Sequence, residues 1–176
     1  VHSLSVTPSA AAAPARLVAV SMLCAGIVLV LLMLFGLIMR LAQAGVLAVD
    51  PRLFYELLTA HGAGMVGIAG LTGATIMWYF VGRMVPLTNG VFALFLSLFL
   101  AGVVLILAAI FGGGFGAAWT FLYPLPAISG GVWEPWAAVT FLLGYACIGV
   151  GFLILHLEIG RQLLARYGTI ARALAW

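Results

Sequence analysis

Thr59-Ala60-His61-Gly62-Ala63-Gly64-Met65 lies inside an apolar run, residues 57–82, in which His61 is the only imidazole and no carboxyl, amino or guanidinium side chain occurs. An ionisable group at membrane depth is expensive to bury and marks a functional site unless something nearby satisfies it. On a helical wheel Gly64, Met65, Ile68, Thr72 and Thr75 share the side of His61, whereas Ala63, Gly67, Gly70 and Ala74 form a stripe of small residues on the far side. Such a stripe is expected to let a neighbouring helix approach closely. The helix is thus expected to pack with its back and to offer an imidazole at its front. That imidazole is either a ligand or a polar group hydrogen-bonded across the bundle, since neutral histidine suits both roles.

The rest of the sequence agrees with a membrane setting. Of the 176 residues 66% are hydrophobic and 6% charged, too few charges to cover the surface of a soluble domain of this length. Residues 17–39, 53–82, 91–111 and 135–157 are each long and apolar enough to cross a hydrocarbon core of about 30 Å. The fold class is therefore an all-α membrane protein of four transmembrane helices. The second run is overlong and is expected to tilt or project. The third, with Leu, Phe, Val and Ala all round, reads as the most lipid-like.

Lysine is absent, and all seven cations are arginines flanking the apolar runs. The net charge of +3 thus belongs to headgroups and topology rather than to nucleic acid. With both termini inside, Arg16, Arg83, Arg161, Arg166 and Arg172 are cytoplasmic and only Arg40 and Arg52 lie outside, as the positive-inside rule requires. Residues 1–15, rich in alanine and without a basic n-region, read as a disordered or surface tail, and the helix behind them as retained. Residues 16–160 form the four-helix domain and residues 161–176 a basic cytoplasmic tail. Asp50-Pro51 and Glu134-Pro135 are helix starts.

Cys24 and Cys147 read as small buried hydrophobes. Trp119, Tyr123, Trp133 and Trp136 read as an interfacial aromatic belt. His61 is placed about 12 Å below the outer end of its helix, and His156 about 30 Å below the outer end of the fourth, so the two cannot share one metal. Glu158, beside His156 near the inner surface, can pair with Arg161 or Gln162 one turn on.

Four landmarks in order carry a family resemblance. Arg40 closes the first helix and is followed by Gln43-Ala44-Gly45. Thr59-Ala60-His61-Gly62 lies in the second helix, Val85-Pro86-Leu87 follows it, and Trp119-Thr120-Phe121-Leu122-Tyr123-Pro124-Leu125 joins the third helix to the fourth. Together they resemble the N-terminal third of subunit I of the haem–copper oxidases. The last landmark departs from the family's Trp-Thr-x-Tyr-Pro-Pro-Leu by one inserted residue and by Leu125 in place of the second proline.

The resemblance implies that His61 is an axial ligand of a low-spin haem, of type b or a. It implies that Arg40 lies near an edge substituent of that haem and that the loop bearing Trp119 and Tyr123 lies over it. Arg40 reads equally well as a snorkelling topology anchor. The family's oxygen-reducing site needs a further haem ligand and a copper held by three histidines on later helices, and beyond His61 and His156 this sequence has only His2.

The resemblance thus implies a redox subunit that relays electrons within a respiratory-type complex in the cytoplasmic membrane of a bacterium or archaeon. Its partners are the lipid bilayer and other subunits of the complex, not nucleic acid. The second axial ligand would come from another chain, from a second copy in a homodimer, or from Met33. The alternatives are one piece of a split oxygen reductase completed by another chain, and a haem-free structural or assembly subunit.

Overall fold

The computed structural model describes residues 8–120 and 128–169. Its elements are α1 (Pro8–Gln43), α2 (Pro51–Val81), α3 (Asn89–Leu107), which runs on through a π-helical turn, Ala108–Gly112, and α4 (Pro135–Tyr167). All four helices are long and apolar enough to cross a membrane, and no strand occurs among the described residues.

Local chemistry sets the ends. The Asp50 carboxylate accepts from the backbone N–H groups of Arg52 (2.9 Å) and Leu53 (3.4 Å), and Pro51 opens α2, satisfying donors that a helix start leaves unpaired. At the far end of α4, Gly168 adopts φ 74° and donates its N–H to the Leu164 carbonyl at 2.8 Å, a left-handed stop that glycine makes without strain. Helix α4 thus continues over residues 161–167, which the sequence reading placed in the tail, because an apolar run marks the hydrocarbon layer rather than the end of the helix. Likewise α1 begins at Pro8, within the stretch read as tail.

The helices pair as two antiparallel hairpins, α1 with α2 and α3 with α4. In the first, His61 meets Leu32 and Gly36 while Thr75 meets Ser21. Thr75 donates to the Leu71 carbonyl (2.7 Å), so the Ser21 hydroxyl, 2.9 Å away, is the donor between the two. In the second hairpin the backbones touch: a Cβ added at Gly144 would lie 2.7 Å from the Gly102 carbonyl oxygen. Helix α3 is therefore not lipid-like on every side. Phe92, Phe95, Phe99, Gly102 and Ile106 are buried at spacings of three and four, a face hidden from hydropathy because the lipid side is equally apolar.

Between the hairpins lies an apolar cavity of about 400 Å³, bordered by Gly64, Gly67 and Gly70 of α2 and by Phe99 and Phe152. This corrects the expected tight packing of the small-residue stripe. Gly70 faces the Phe152 ring, with an added Cβ 2.9 Å from its Cζ, and Gly67 stands 3.7 Å from Phe99 Cζ by the same measure. The stripe receives aromatic side chains and open space rather than another backbone.

Candidate functional site

The His61 ring is half-buried against α1. Its Nδ1 lies 2.8 Å from the Leu32 carbonyl oxygen. A carbonyl can only accept, so Nδ1 carries the proton, and in the neutral ring Nε2 presents a lone pair. Gly36 permits the approach: a Cβ there would sit 3.0 Å from His61 Cε1, tight enough to displace the ring. No buried side-chain nitrogen or oxygen among the described residues lacks a hydrogen-bond partner. Nε2, which has no bond of its own, is therefore open to the surroundings of the bundle.

The opposite flank is built by the segment between α3 and α4. Arg52, Tyr55, Thr59 and Gly62 form one stripe along α2, at spacings of three, four and three. Gly114 lies against the Arg52 guanidinium, Gly116 against Tyr55, and Trp119 against Gly62. Ala118 donates its N–H to Thr59 Oγ1 at 3.0 Å, and Thr59 in turn donates to the Tyr55 carbonyl at 2.8 Å.

The segment descends about 15 Å beside α2, from Arg52 to Gly62. Non-helical backbone is tolerated at such depth only when protein covers it. Here Phe115 and Ala117 are buried, and the Phe115 N–H is taken by the Ala109 and Ile110 carbonyls, both at 3.1 Å. Phe115 stacks on Phe141 (centroids 4.5 Å) and meets Trp133 edge-on (5.1 Å). Trp133 is thus a core residue rather than part of a belt, whereas Trp119 and Trp136 are exposed. Arg52 also pairs with the buried Glu56 at 3.0 Å, so it anchors this end of α2 as well as bearing on topology.

His61 and Trp119 consequently border the same open strip of α2, on which Met65, Ala69 and Ile76 are exposed. Arg40 stands one turn beyond Gly36 on α1, exposed, with Nη1 donating to Gln43 Oε1 at 2.8 Å. Tyr123 lies outside the described residues. Met33 is 60% exposed, about 100° round α1 from Leu32, whose side chain lies against Gly64. Cys24 is exposed and Cys147 half-buried, so neither is the buried hydrophobe it was read as. His156 is exposed and bonds within its own helix, Nδ1 to the Phe152 carbonyl at 2.7 Å.

The sequence reading missed Gly36, the Leu32 carbonyl and the Thr59–Ala118 bond. A hydroxyl two residues before His61 was the available signal for the last of these. The first two depend on helix register, which one sequence does not reveal.

No group of three or more His, Cys, Asp or Glu side chains that could hold a metal ion occurs among the described residues. A haem brings its own ring nitrogens and asks the protein for a single side chain on each face. An imidazole with Nδ1–H fixed on a carbonyl and Nε2 open fits that need, and it is the usual second-sphere arrangement of a metal-bound histidine.

Comparison with curated proteins and with solved structures gives no match. The family model described as cytochrome c and quinol oxidase polypeptide I matches residues 16–174. With nearly the whole chain covered and four helices able to span a membrane, this is a multi-pass membrane protein that belongs to the cytochrome c and quinol oxidase polypeptide I family.

Proposed function

We propose that this chain is a redox subunit that holds a low-spin haem, of type b or a, through His61 Nε2 and relays electrons within a respiratory-type membrane complex. The observation that carries the reading is the divided imidazole, with one nitrogen committed to Leu32 at 2.8 Å and the other left without a partner. A bound haem would supply one-electron exchange at its iron. The protein's part is to orient and to exclude. The Leu32 carbonyl fixes the tautomer and makes Nε2 a better donor to metal. Gly36 lets the ring lie close to α1, and Trp119 covers one border of the open strip. Arg40 would offer a cation to an acidic haem substituent, and Tyr123, four positions after Trp119 in the sequence, is the further residue that the family resemblance assigns to that haem. A second protein ligand to the iron would come from another chain, from a second copy of this one, or from Met33, which is exposed beside Leu32.

The orientation places both termini in the cytoplasm, with residues 112–134 outside the cytoplasmic membrane, because five of the seven arginines then lie inside. Labelling of Ser129→Cys from outside intact cells is expected, with Thr169→Cys protected; the reverse pattern inverts the topology.

The test of function is a reduced-minus-oxidised spectrum of the complex purified with its partners. His61→Ala is expected to remove the haem signal while protein abundance changes much less, since insertion depends on the apolar runs and the arginines. His156→Ala is expected to keep the signal. A wild-type spectrum in His61→Ala would make the ligand assignment wrong, and absence of haem from the unaltered complex would leave a structural subunit. The family match favours one further reading, in which another chain adds the helices needed for oxygen reduction. Carbon monoxide binding to the reduced complex, which requires an open high-spin centre, separates that reading from pure electron relay.

A further inference from the structure

Ala118 has φ 61°, the only positive value at a non-glycine residue among those described. Left-handed backbone is unfavourable for alanine and persists where surrounding contacts over-determine it. The contact that selects it here is the 3.0 Å bond from Ala118 N–H to Thr59 Oγ1. Thr59 is fully buried and its own hydroxyl proton is spent on the Tyr55 carbonyl, so its oxygen is oriented to accept. One residue later, the Trp119 indole lies on Gly62 so closely that a Cβ at Gly62 would overlap its Cδ1 edge. The indole is 43% exposed, so the packing of its outer face does not fix its position, and its seat depends on the backbone that delivers it.

We infer that Thr59 is a positioning residue: by holding Ala118 in its left-handed conformation, it seats Trp119 as the wall of the open strip that His61 borders on the α1 side. The Arg52–Gly114 and Tyr55–Gly116 contacts bring the segment down beside α2. Thr59 sets its last turn, and with it the access of water to the face where the imidazole presents Nε2. The role of that face rests on the haem reading above, whereas the seating of the indole does not.

The test uses the assembled complex labelled with 5-fluorotryptophan, the Trp119 resonance being identified by its loss in Trp119→Phe. Thr59→Val keeps the shape but removes the acceptor, and it is expected to shift or broaden that resonance while the other tryptophan signals stay in place. Thr59→Ser restores the oxygen and is expected to return the resonance to its original position. Thr59→Ala removes the same acceptor and leaves less bulk at the contact. If Thr59→Val fails to assemble, movement of the resonance in Thr59→Ala decides the question. A Trp119 resonance unmoved in the assembled Thr59→Val or Thr59→Ala protein overturns the assignment.

The second readout is the haem midpoint potential. It is expected to fall in Thr59→Val and Trp119→Phe and to hold in Thr59→Ser, because water at an uncovered haem favours the charged ferric state. If His61→Ala shows that this chain holds no haem, the fluorine signal still supports or rejects the clamp. If the resonance stays fixed while His61→Ala loses haem, the clamp alone is wrong.

Discussion

The two hairpins close in different ways. In α3–α4 the backbones meet at Gly102 and Gly144, and the buried Glu158 carboxylate ties the end of the pair with no acceptor capacity left idle. It takes the Thr88 N–H (3.2 Å) and hydroxyl (2.7 Å), two Arg161 nitrogens (3.0 and 2.8 Å) and Gln162 Nε2 (2.9 Å). In α1–α2 the contact runs through side chains, Ser21 on Thr75 and His61 on the Leu32 carbonyl, and one imidazole nitrogen stays open. A polar group with every bond satisfied holds helices together, whereas one held in place with a lone pair to spare is set up to bind. By that criterion α3–α4 is the frame and α1–α2 carries the candidate site.

The strongest way to break the comparison is at Gly144. Leucine there must push against the Gly102 carbonyl and Ile106, and backbone cannot yield as a flexible side chain does. Gly144→Leu is expected to destabilise the protein by about 3 kcal/mol or more, read as a large fall in thermal stability or loss of assembly. Wild-type stability would mean that α3 and α4 are not in backbone contact.

Next in size is Glu158→Ala, which takes the shared acceptor from Thr88, Arg161 and Gln162. Thr88 and Arg161 are exposed and turn to water, so the loss is set mainly by the half-buried Gln162 and by the broken tie between α4 and the start of α3, at about 1–3 kcal/mol. The haem spectrum should persist, because the carboxylate is far from His61 along the bundle. His61→Ala is the mirror image. It removes one cross-helix hydrogen bond, worth about 0.6–2 kcal/mol, and should abolish the haem signal. Thermal unfolding and spectra of the two variants side by side test the distinction, which collapses if both lose haem and stability together.

How much of this was legible follows from the physics of each feature. The four helices are written in runs of composition, and the Asp50-Pro51 start and the offer of Arg161 or Gln162 to Glu158 within one turn of sequence; the helices and the start appear as read, and Glu158 takes both partners. The Thr88 donors to Glu158 lie seventy positions away and have no local signature. The two faces of α2 exchange the roles expected of them: the His61 side lies against α1, and the stripe of small residues meets aromatic rings, because such a stripe accepts a ring as readily as a helix backbone. The descent beside α2 of the segment after α3 depends on Arg52, Tyr55 and Thr59 meeting Gly114, Gly116 and Ala118, a correspondence between distant stretches that periodicity does not expose.

The smallest expected effect lies at Gly67, between the hairpins. As one of a small-residue stripe, Gly67 would be expected to resist any larger side chain. In the structure an added Cβ meets only Phe99 Cζ, at 3.7 Å, and beyond it opens the cavity of about 400 Å³. Space of that kind leaves its lining atoms without packing partners, and filling it recovers dispersion contacts that lipid or void supplies poorly. Leucine also forms helix more readily than glycine, by about 0.5–1 kcal/mol. Gly67→Leu is therefore expected to leave thermal stability unchanged or to raise it by about 1 kcal/mol, in contrast to Gly144→Leu, although both substitutions place the same side chain on a helical glycine. The haem spectrum should not move, since Gly67 is turned away from the strip that His61 and Trp119 border. A loss of stability as large as that of Gly144→Leu would show that the hairpins close against each other where the structure leaves them apart.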